Sequence, residues 1–440
     1  MHGDLPAACG QRQRDLTPQP PGGAGDQNNF CNGIDGVGQH LLEWREAVMN
    51  GRQSGPVIRM TETSILTTDL QSAICRAIDR TGGWLGFDEF MALALYTPGL
   101  GYYDNDSRKF GLMPAGLNGV KDGGSDFVTA PELSPRFGQT LARQVAQALR
   151  ATGTAELWEF GAGSGALALQ MLDALGPLCE RYTIVDLSGS LAARQRELLA
   201  PHTGKVHWAS ELPARMRGVV VGNEVLDAMP VKLLSRLDGV WHERGVVLNQ
   251  GRFCYADKRS DLRPPLEVAG THDYVTEIHQ QAEGFIGTLA DRLQAGAIFL
   301  LDYGFPEHEY YHPQRSMGTV MCHQGHLADG DALADVGSKD ITAHVNFTGI
   351  AVAGQNAGLE VIGYTSQGRF LLNCGLLDGM GDDNTGTGLA ERAMVQKLVN
   401  EHEMGELFKV IAFAARSDPA DSGEAWQPLG FTAGDRTHTL

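Results

Sequence analysis

Nothing in this chain approaches the ~18 consecutive apolar residues that a membrane-spanning helix needs. Its first residues, MHGDLPAACG, lack the basic start and continuous apolar run of a secretory signal. Asp4, Asp15 and Asp26 break up any organelle-import segment. Cysteine is sparse and scattered: Cys9, Cys31, Cys75, Cys179, Cys254, Cys322 and Cys374 contain no C-x-x-C pair. An odd number at such spacings argues against a disulfide framework or a structural zinc site, so reduced thiols in a reducing compartment are expected. Positive charge is also short. Lys and Arg number 35 against 53 Asp and Glu, for a net charge of −18. Such a surface repels phosphate backbones, so nucleic acid is not an expected partner, whereas an Arg- or Lys-bearing protein is.

What is present is an ordinary globular composition, 42% hydrophobic and 20% charged, in a chain of 440 residues that can bury a large core. Residues 1–62 are rich in Gly, Pro, Gln and Asn and read as a disordered leader, or as sequence upstream of a start at Met60. Residues 63–150 read as a mostly helical, substrate-binding segment. LQSAICRAI has helical apolar spacing, and FDEFMALALY forms a second helix that Pro98-Gly99 stops. Gly101 to Ser125 is Gly-rich and reads as a long functional loop.

From Ala155 strand and helix alternate: AELWEF, SGALALQMLDAL, YTIVDL, SLAARQRELL, KVHW, then RGVVVGNEVL as a fourth strand running into a helix. This alternation predicts a doubly wound, Rossmann-like α/β fold with helices on both faces of a parallel sheet. The core covers 151–238, and 239–295 reads as an inserted hairpin, around Asn249-Gln250-Gly251, plus a helix. Residues 296–416 complete the sheet and a substrate region, with AIFLLDYG and FKVIAFAAR as buried strands, and 417–440 reads as a flexible tail.

The first core strand ends in Glu159-Phe160-Gly161-Ala162-Gly163-Ser164-Gly165. Glycines let such a turn approach a ligand where any Cβ would collide. Asp186, beside Leu187 at the tip of the second strand, can accept both hydrogen bonds of a ribose diol. Together they predict a nucleoside site. Gly161-x-Gly163-x-x-Ala166 also satisfies a dinucleotide fingerprint, so a nicotinamide oxidoreductase stays open at this point. Glu159 favours S-adenosylmethionine, because a carboxylate there can hold the methionine ammonium but would repel a pyrophosphate.

A second constellation, Asn223-Glu224-Val225-Leu226-Asp227-Ala228-Met229-Pro230, leaves the fourth strand, where open α/β sheets bind ligands. If the segment turns helically, Glu224 and Asp227 share a face. They orient a methyl acceptor in one reading, and in the other Asn223 caps a helix whose first turn carries two acids.

These blocks resemble one family throughout. FDEFMALALYTPGLGYYDND, GSDFVTAPELSPRFGQ, the glycine loop, NEVLDAMPV and DITAHVNFT occur in the order found in MidA-like methyltransferases, whose mitochondrial members assist assembly of respiratory complex I. The resemblance runs from about residue 65 to about residue 415. It implies a class I methyltransferase core using S-adenosylmethionine, and methylation of an accessible arginine on a protein such as a complex I subunit. A cytoplasmic location follows for a bacterial source and the mitochondrial matrix for a eukaryotic one. Within it, Glu224 would grip the guanidinium, with Asp227 second and Asn223 positioning acceptor or cofactor amine. Glu159, Gly161, Ala162, Gly163, Gly165, Asp186 and Leu187 would hold the cofactor, with Thr129, Pro131 and Glu132 of FVTAPE closing over its methionine end. Two departures stand out. Asp186 replaces the usual glutamate, and MCHQGHLADGDALADVGSKD replaces a stretch that is usually more basic.

Other residues carry two readings each. Tyr102 and Tyr103 wall the pocket or belong to the core; Phe127 belongs with FVTAPE; Asp302-Tyr303-Gly304 enters the site or caps a strand. His344 takes a proton from the acceptor or is a structural histidine. His308, His312, His323 and His326 with Cys322 have no accepted metal-ligand spacing, and no metal is expected. Apart from the oxidoreductase, a non-catalytic, cofactor-binding assembly factor is the remaining alternative.

Overall fold

In the computed structural model, residues 62–105, 129–186, 189–325, 327–381, 385–415 and 426–440 are described. The leader, most of the Gly101–Ser125 loop, Phe127, Leu187 and His326 lie outside them. The chain begins with helices α1 (Glu62–Arg80) and α2 (Phe87–Tyr96), separated by the two-residue strand β1 (Leu85–Gly86). After α3 (Ala130–Leu133) comes the long α4 (Pro135–Thr152). Ser134 caps α4 by accepting from the Arg136 amide, and Gly153 ends it in left-handed backbone with φ 59°.

The expected alternation follows as β2 (Glu156–Phe160), α5 (Ala166–Leu175), β3 (Arg181–Val185), α6 (Gly189–Leu198), β4 (Val206–Ala209) and β5 (Met216–Asn223). Four strands then form before the core resumes: β6 (Lys232–Leu237), β7 (Val240–Asn249), β8 (Arg252–Arg259) and β9 (Tyr274–Ile278). The return to the core runs through α7 (Gln280–Arg292) and β10 (Leu293–Phe305). Short strands β11 (Met321–Gln324), β12 (Leu327–Asp329), β13 (Asp340–Thr342) and β14 (Val345–Asn346) precede β15 (Leu359–Ser366) and β16 (Phe408–Ala415).

The central sheet runs β15-β16-β10-β5-β2-β3-β4, with β14 beside the end of β10. Strands β4, β3, β2, β5 and β10 are mutually parallel, and β16 is antiparallel to β10. Apolar cores cover both faces. Phe137, Leu141, Leu157 and Val221 belong to one, and Trp158, Val220, Ile286 and Ile298 to the other. Continuous apolar runs such as VVV and IFLL are what a strand buried on both faces requires. The chain passes from β2 to β3 on one side and returns through β5 on the other, which makes the carboxyl ends of β2 and β5 a topological switch point.

Three expectations change. No helix follows β5: Glu224 has φ 55°, outside the helical region, and the next three amides point to a side chain on β10. The helix-capping reading of Asn223 therefore falls. The hairpin turns at Gln250-Gly251 as expected, with φ 49° and 77°, but it belongs to a five-stranded sheet, β1-β7-β6-β9 with β8 on β7. That sheet shares a core with α1 and α2 through Leu85, Phe90, Leu233 and Val246. Finally, residues 426–440 pack against the molecule rather than trailing from it. Phe431 is 4% exposed and meets the Phe370 ring at 5.4 Å, so its apolar area anchors a polar stretch. No described helix is long and apolar enough to cross a membrane.

Candidate active site

Strand register aligns the expected residues. Phe160 stands opposite Val185 on β3 and Gly222 on β5, and Leu301 of β10 stands opposite Asn223. One residue further on, Gly161, Asp186, Glu224 and Asp302 all emerge at the same edge of the sheet.

On the β2–β3 side, Gly161, Gly163 and Gly165 have φ of 63°, 53° and 86°, conformations that a side chain would strain. A Cβ on Gly161 would stand 3.2 Å from Val225, so the glycine also lets the two loops meet. Ala162 is buried, and its carbonyl accepts from the Gly165 amide at 2.8 Å. Asp186 is half-buried at the strand tip. Gln195 on α6, fully buried, donates to the Gly163 carbonyl at 3.0 Å and to Asp186 at 3.3 Å, which ties the loop to the acid. Glu159 lies under the loop, 2% exposed, and accepts from the Tyr182 hydroxyl at 2.7 Å. Burial pushes its carboxyl up to about 8; the Tyr182 hydrogen bond opposes this and the charge of Asp186 adds to it.

On the β5–β10 side, Asp302 organises the loop. Its Oδ2 accepts from the amides of Val225, Leu226 and Asp227 at 3.1, 2.9 and 3.2 Å, and its Oδ1 from that of Tyr303 at 2.9 Å. Asn223 Nδ2 donates to Glu224 Oε1 at 3.0 Å, and the Ala130 amide also donates to that carboxylate. The Tyr303 hydroxyl donates to Asp227 Oδ2 at 2.5 Å. Burial first, then the charge of Asp227, push Glu224 up to about 8. Burial pushes Asp227 up to about 6 against the Tyr303 hydrogen bond. Asp302 is raised well above its ordinary value by burial and by its two acidic neighbours. Among the described residues no cationic side chain forms an ion pair with any of the three.

The FVTAPE segment bridges the two sides. Pro131 sits in the first turn of α3, as a helix start requires, and its carbonyl accepts from Gln170 at 2.7 Å. Thr129 precedes the helix, its carbonyl accepting from the amides of Glu132 and Leu133. Burial raises the Glu132 carboxyl, and a hydrogen bond from Ser164 of the glycine loop counters it. With the Ala130 amide on Glu224, this short helix touches both halves of the site.

Tyr102 is core, whereas Tyr103 reaches the rim and donates to Asp340 at 2.8 Å. It stacks on Tyr96, whose hydroxyl donates to the Ala228 carbonyl at 2.7 Å. His344 lies against Phe305 and Tyr303, with Nδ1 buried and without a partner, and burial pulls its ring down to about 4. Among the described residues, His308, His312, His323 and Cys322 are not brought together as a metal-holding group. Sequence reasoning missed Gln195, Tyr96 and Asp340. Gln195 was detectable, since Leu191-Gln195-Leu199 puts one polar residue on the buried stripe of a helix.

Residues 140–365, more than half of the chain, match the sequence model of the S-adenosyl-L-methionine-dependent methyltransferase family. The chain belongs to this methyltransferase family. A solved Burkholderia thailandensis structure with bound S-adenosyl-homocysteine is 46% identical, covers 88% of the methyltransferase and 100% of its own chain, and has a TM-score of 0.80. The mitochondrial protein arginine methyltransferase NDUFAF7 of Danio rerio is 25% identical over 401 residues, spanning 80% of this chain and 90% of its own. Its Homo sapiens counterpart is 26% identical over 370 residues, or 74% and 78%. The chemistry at this edge fits the cofactor: a half-buried carboxylate at Asp186, bare glycine backbone at Gly161, Gly163 and Gly165, and the buried acid Glu159. The nicotinamide alternative falls with this assignment.

Proposed function

We propose that the methyltransferase methylates an arginine side chain of a protein. One observation carries this reading: Glu224 and Asp227 are enclosed together at the strand ends, each raised partly or wholly by burial, with no cation among the described residues to pair with them. A guanidinium supplies what the pair lacks, and its fixed fork suits two carboxylates. The naming of the Danio rerio and Homo sapiens relatives as protein arginine methyltransferases supports the same acceptor.

In this reading Glu224 grips two guanidinium nitrogens and Asp227 faces the third. Asn223 positions the acceptor or the cofactor amine. Asp186, with Leu187 beside it, holds the ribose diol, and Gly161, Ala162, Gly163 and Gly165 leave room for the nucleoside. Glu159 supplies negative potential under the methionine end, while Thr129, Pro131 and Glu132 close over it. Bound S-adenosylmethionine supplies an electrophilic methyl carbon on a sulfonium. The protein's task is alignment, since the displacement needs nucleophile, carbon and sulfur in line. A complex I subunit is the first acceptor to try. The compartment would be cytoplasm in a bacterium and mitochondrial matrix in a eukaryote.

The test is transfer of labelled methyl to candidate acceptor proteins, followed by hydrolysis and amino-acid analysis. Methylarginine that disappears in Glu224→Gln supports the reading. Label on another residue type overturns the acceptor. Tight S-adenosyl-homocysteine binding without turnover on any acceptor would leave a cofactor-binding assembly protein.

A further inference from the structure

Asp227 is held from several directions. Its amide donates to Asp302 at 3.2 Å, and its carbonyl accepts from the Ala343 amide at 2.9 Å. With the main chain fixed on both sides, the side chain's remaining freedom is the orientation of its carboxylate. That orientation is set first by Tyr303, whose hydroxyl donates to Oδ2 at 2.5 Å, and then by the Ala228 amide, which also bonds the carboxylate. The Tyr303 ring is itself fixed, packed edge-on against His344 at 5.0 Å and Phe408 at 5.3 Å. Oδ1 is left buried with no hydrogen-bond partner, on a residue only 4% exposed. An orphaned carboxylate oxygen in such a place costs free energy unless a donor arrives.

We infer that Tyr303 is a positioning residue that holds Asp227 so that its free Oδ1 receives the proton leaving the methyl acceptor. The inference takes the identity of that acceptor from the guanidinium reading above. In the step, a nitrogen–carbon bond forms as the sulfur–carbon bond breaks, and the electron pair leaves on sulfur, which becomes a neutral thioether. The nitrogen's proton passes to Asp227 Oδ1 and then to solvent, so charge and atoms balance.

The charged and titratable groups around Asp227 are Glu224 on its own loop, Asp302 and Tyr303 on β10, Tyr96 at the end of α2, Tyr103 just after it, and Asp340 on β13. All are acids or phenols. Burial raises the Asp227 carboxyl, and hydrogen bonds, Tyr303's foremost among them, oppose that rise and favour its carboxylate.

The experiment follows the Asp227 carboxyl directly, by carbon-13 NMR of carboxyl-labelled aspartate in the S-adenosyl-homocysteine complex, with Asp227→Asn for assignment. Tyr303→Phe should raise the Asp227 midpoint by about one pH unit. The acidic limb of kcat against pH should shift the same way, and cofactor affinity should not change. Site-specific 3-fluorotyrosine at position 303, a stronger donor of unchanged shape, should lower the midpoint; this arm serves if the phenylalanine variant folds poorly. A midpoint that neither change moves overturns the inference. Methyl label on a residue other than arginine, with the midpoint moving as stated, would sink the guanidinium reading and leave this one standing. Methylarginine with an unmoved midpoint would do the reverse.

Discussion

Gln195 donates its side-chain amide to the carboxylate of Asp186 at 3.3 Å. The same nitrogen reaches the Gly163 carbonyl at 3.0 Å, and its oxygen accepts from Trp208 at 2.9 Å. A buried glutamine with both ends used fixes the acid relative to the glycine loop. Gln195→Leu, close in volume, should weaken S-adenosyl-homocysteine binding by roughly 5- to 30-fold, the worth of about 1–2 kcal/mol of lost hydrogen bonding. Calorimetry on the variant decides it, and unchanged affinity would mean Asp186 needs no such brace.

Cofactor binding should expel a proton. Glu159 is pushed up to about 8 without ligand, so at pH 7 it is mostly protonated. A cationic ammonium nearby favours the carboxylate, so affinity should rise with pH up to about 8 and then level off. Calorimetry in buffers of different ionisation heat should show release of about one proton at pH 7, absent in Glu159→Gln. In the empty protein the sign is opposite: the raised group favours the protonated fold, so its stabilising share is lost as pH climbs from the ordinary carboxylate range to about 8. A heat of binding independent of buffer would refute the role of Glu159.

Asp302→Asn keeps the shape of the loop organiser but places an amide where only acceptors fit. Even with its oxygen turned to the three amides on the Oδ2 side, the new NH2 meets the Tyr303 amide donor, at a cost on the order of 1–3 kcal/mol. On the proposed reading methyl transfer should fall far more than cofactor binding, because the amides Asp302 holds belong to the loop carrying Glu224 and Asp227. Equal losses in both assays would contradict that division.

Phe431→Ala tests whether the last stretch is structural. Its ring fills space between Phe370 and Gly363, where a glycine Cβ would come within 2.2 Å of it. The truncation should cost about 3–5 kcal/mol and lower the melting temperature. A melting curve identical to the parent's would return residues 426–440 to the status of a free tail.

The central strands were legible because burial on both faces leaves a continuous apolar signature, and glycine loop and acidic tip are a few residues of local chemistry. The five-stranded sheet was only partly legible. Its strands carry Lys232, Arg236 and Arg244 among the apolar residues, so only the alternation over 239–257 and the Gln250-Gly251 turn marked it, and β6 and β9 went unread. The helix expected after β5 fails for a different reason. Glu-Val-Leu-Asp-Ala-Met has good helical propensity, but Asp302, far along the chain, takes the amides that a helix would need. A capture across 75 residues or more leaves no local trace. The expected closeness of Glu224 and Asp227 rested on that helix; the turn brings their charges together by another route.

The carboxylates massed behind Glu224 also set what the site refuses. On the guanidinium reading proposed above, citrulline, with nearly the outline of arginine but no charge, would leave the repulsion between the acids uncompensated. On that reading discrimination depends on charge more than on shape, and an acceptor carrying citrulline in place of arginine would go unmethylated.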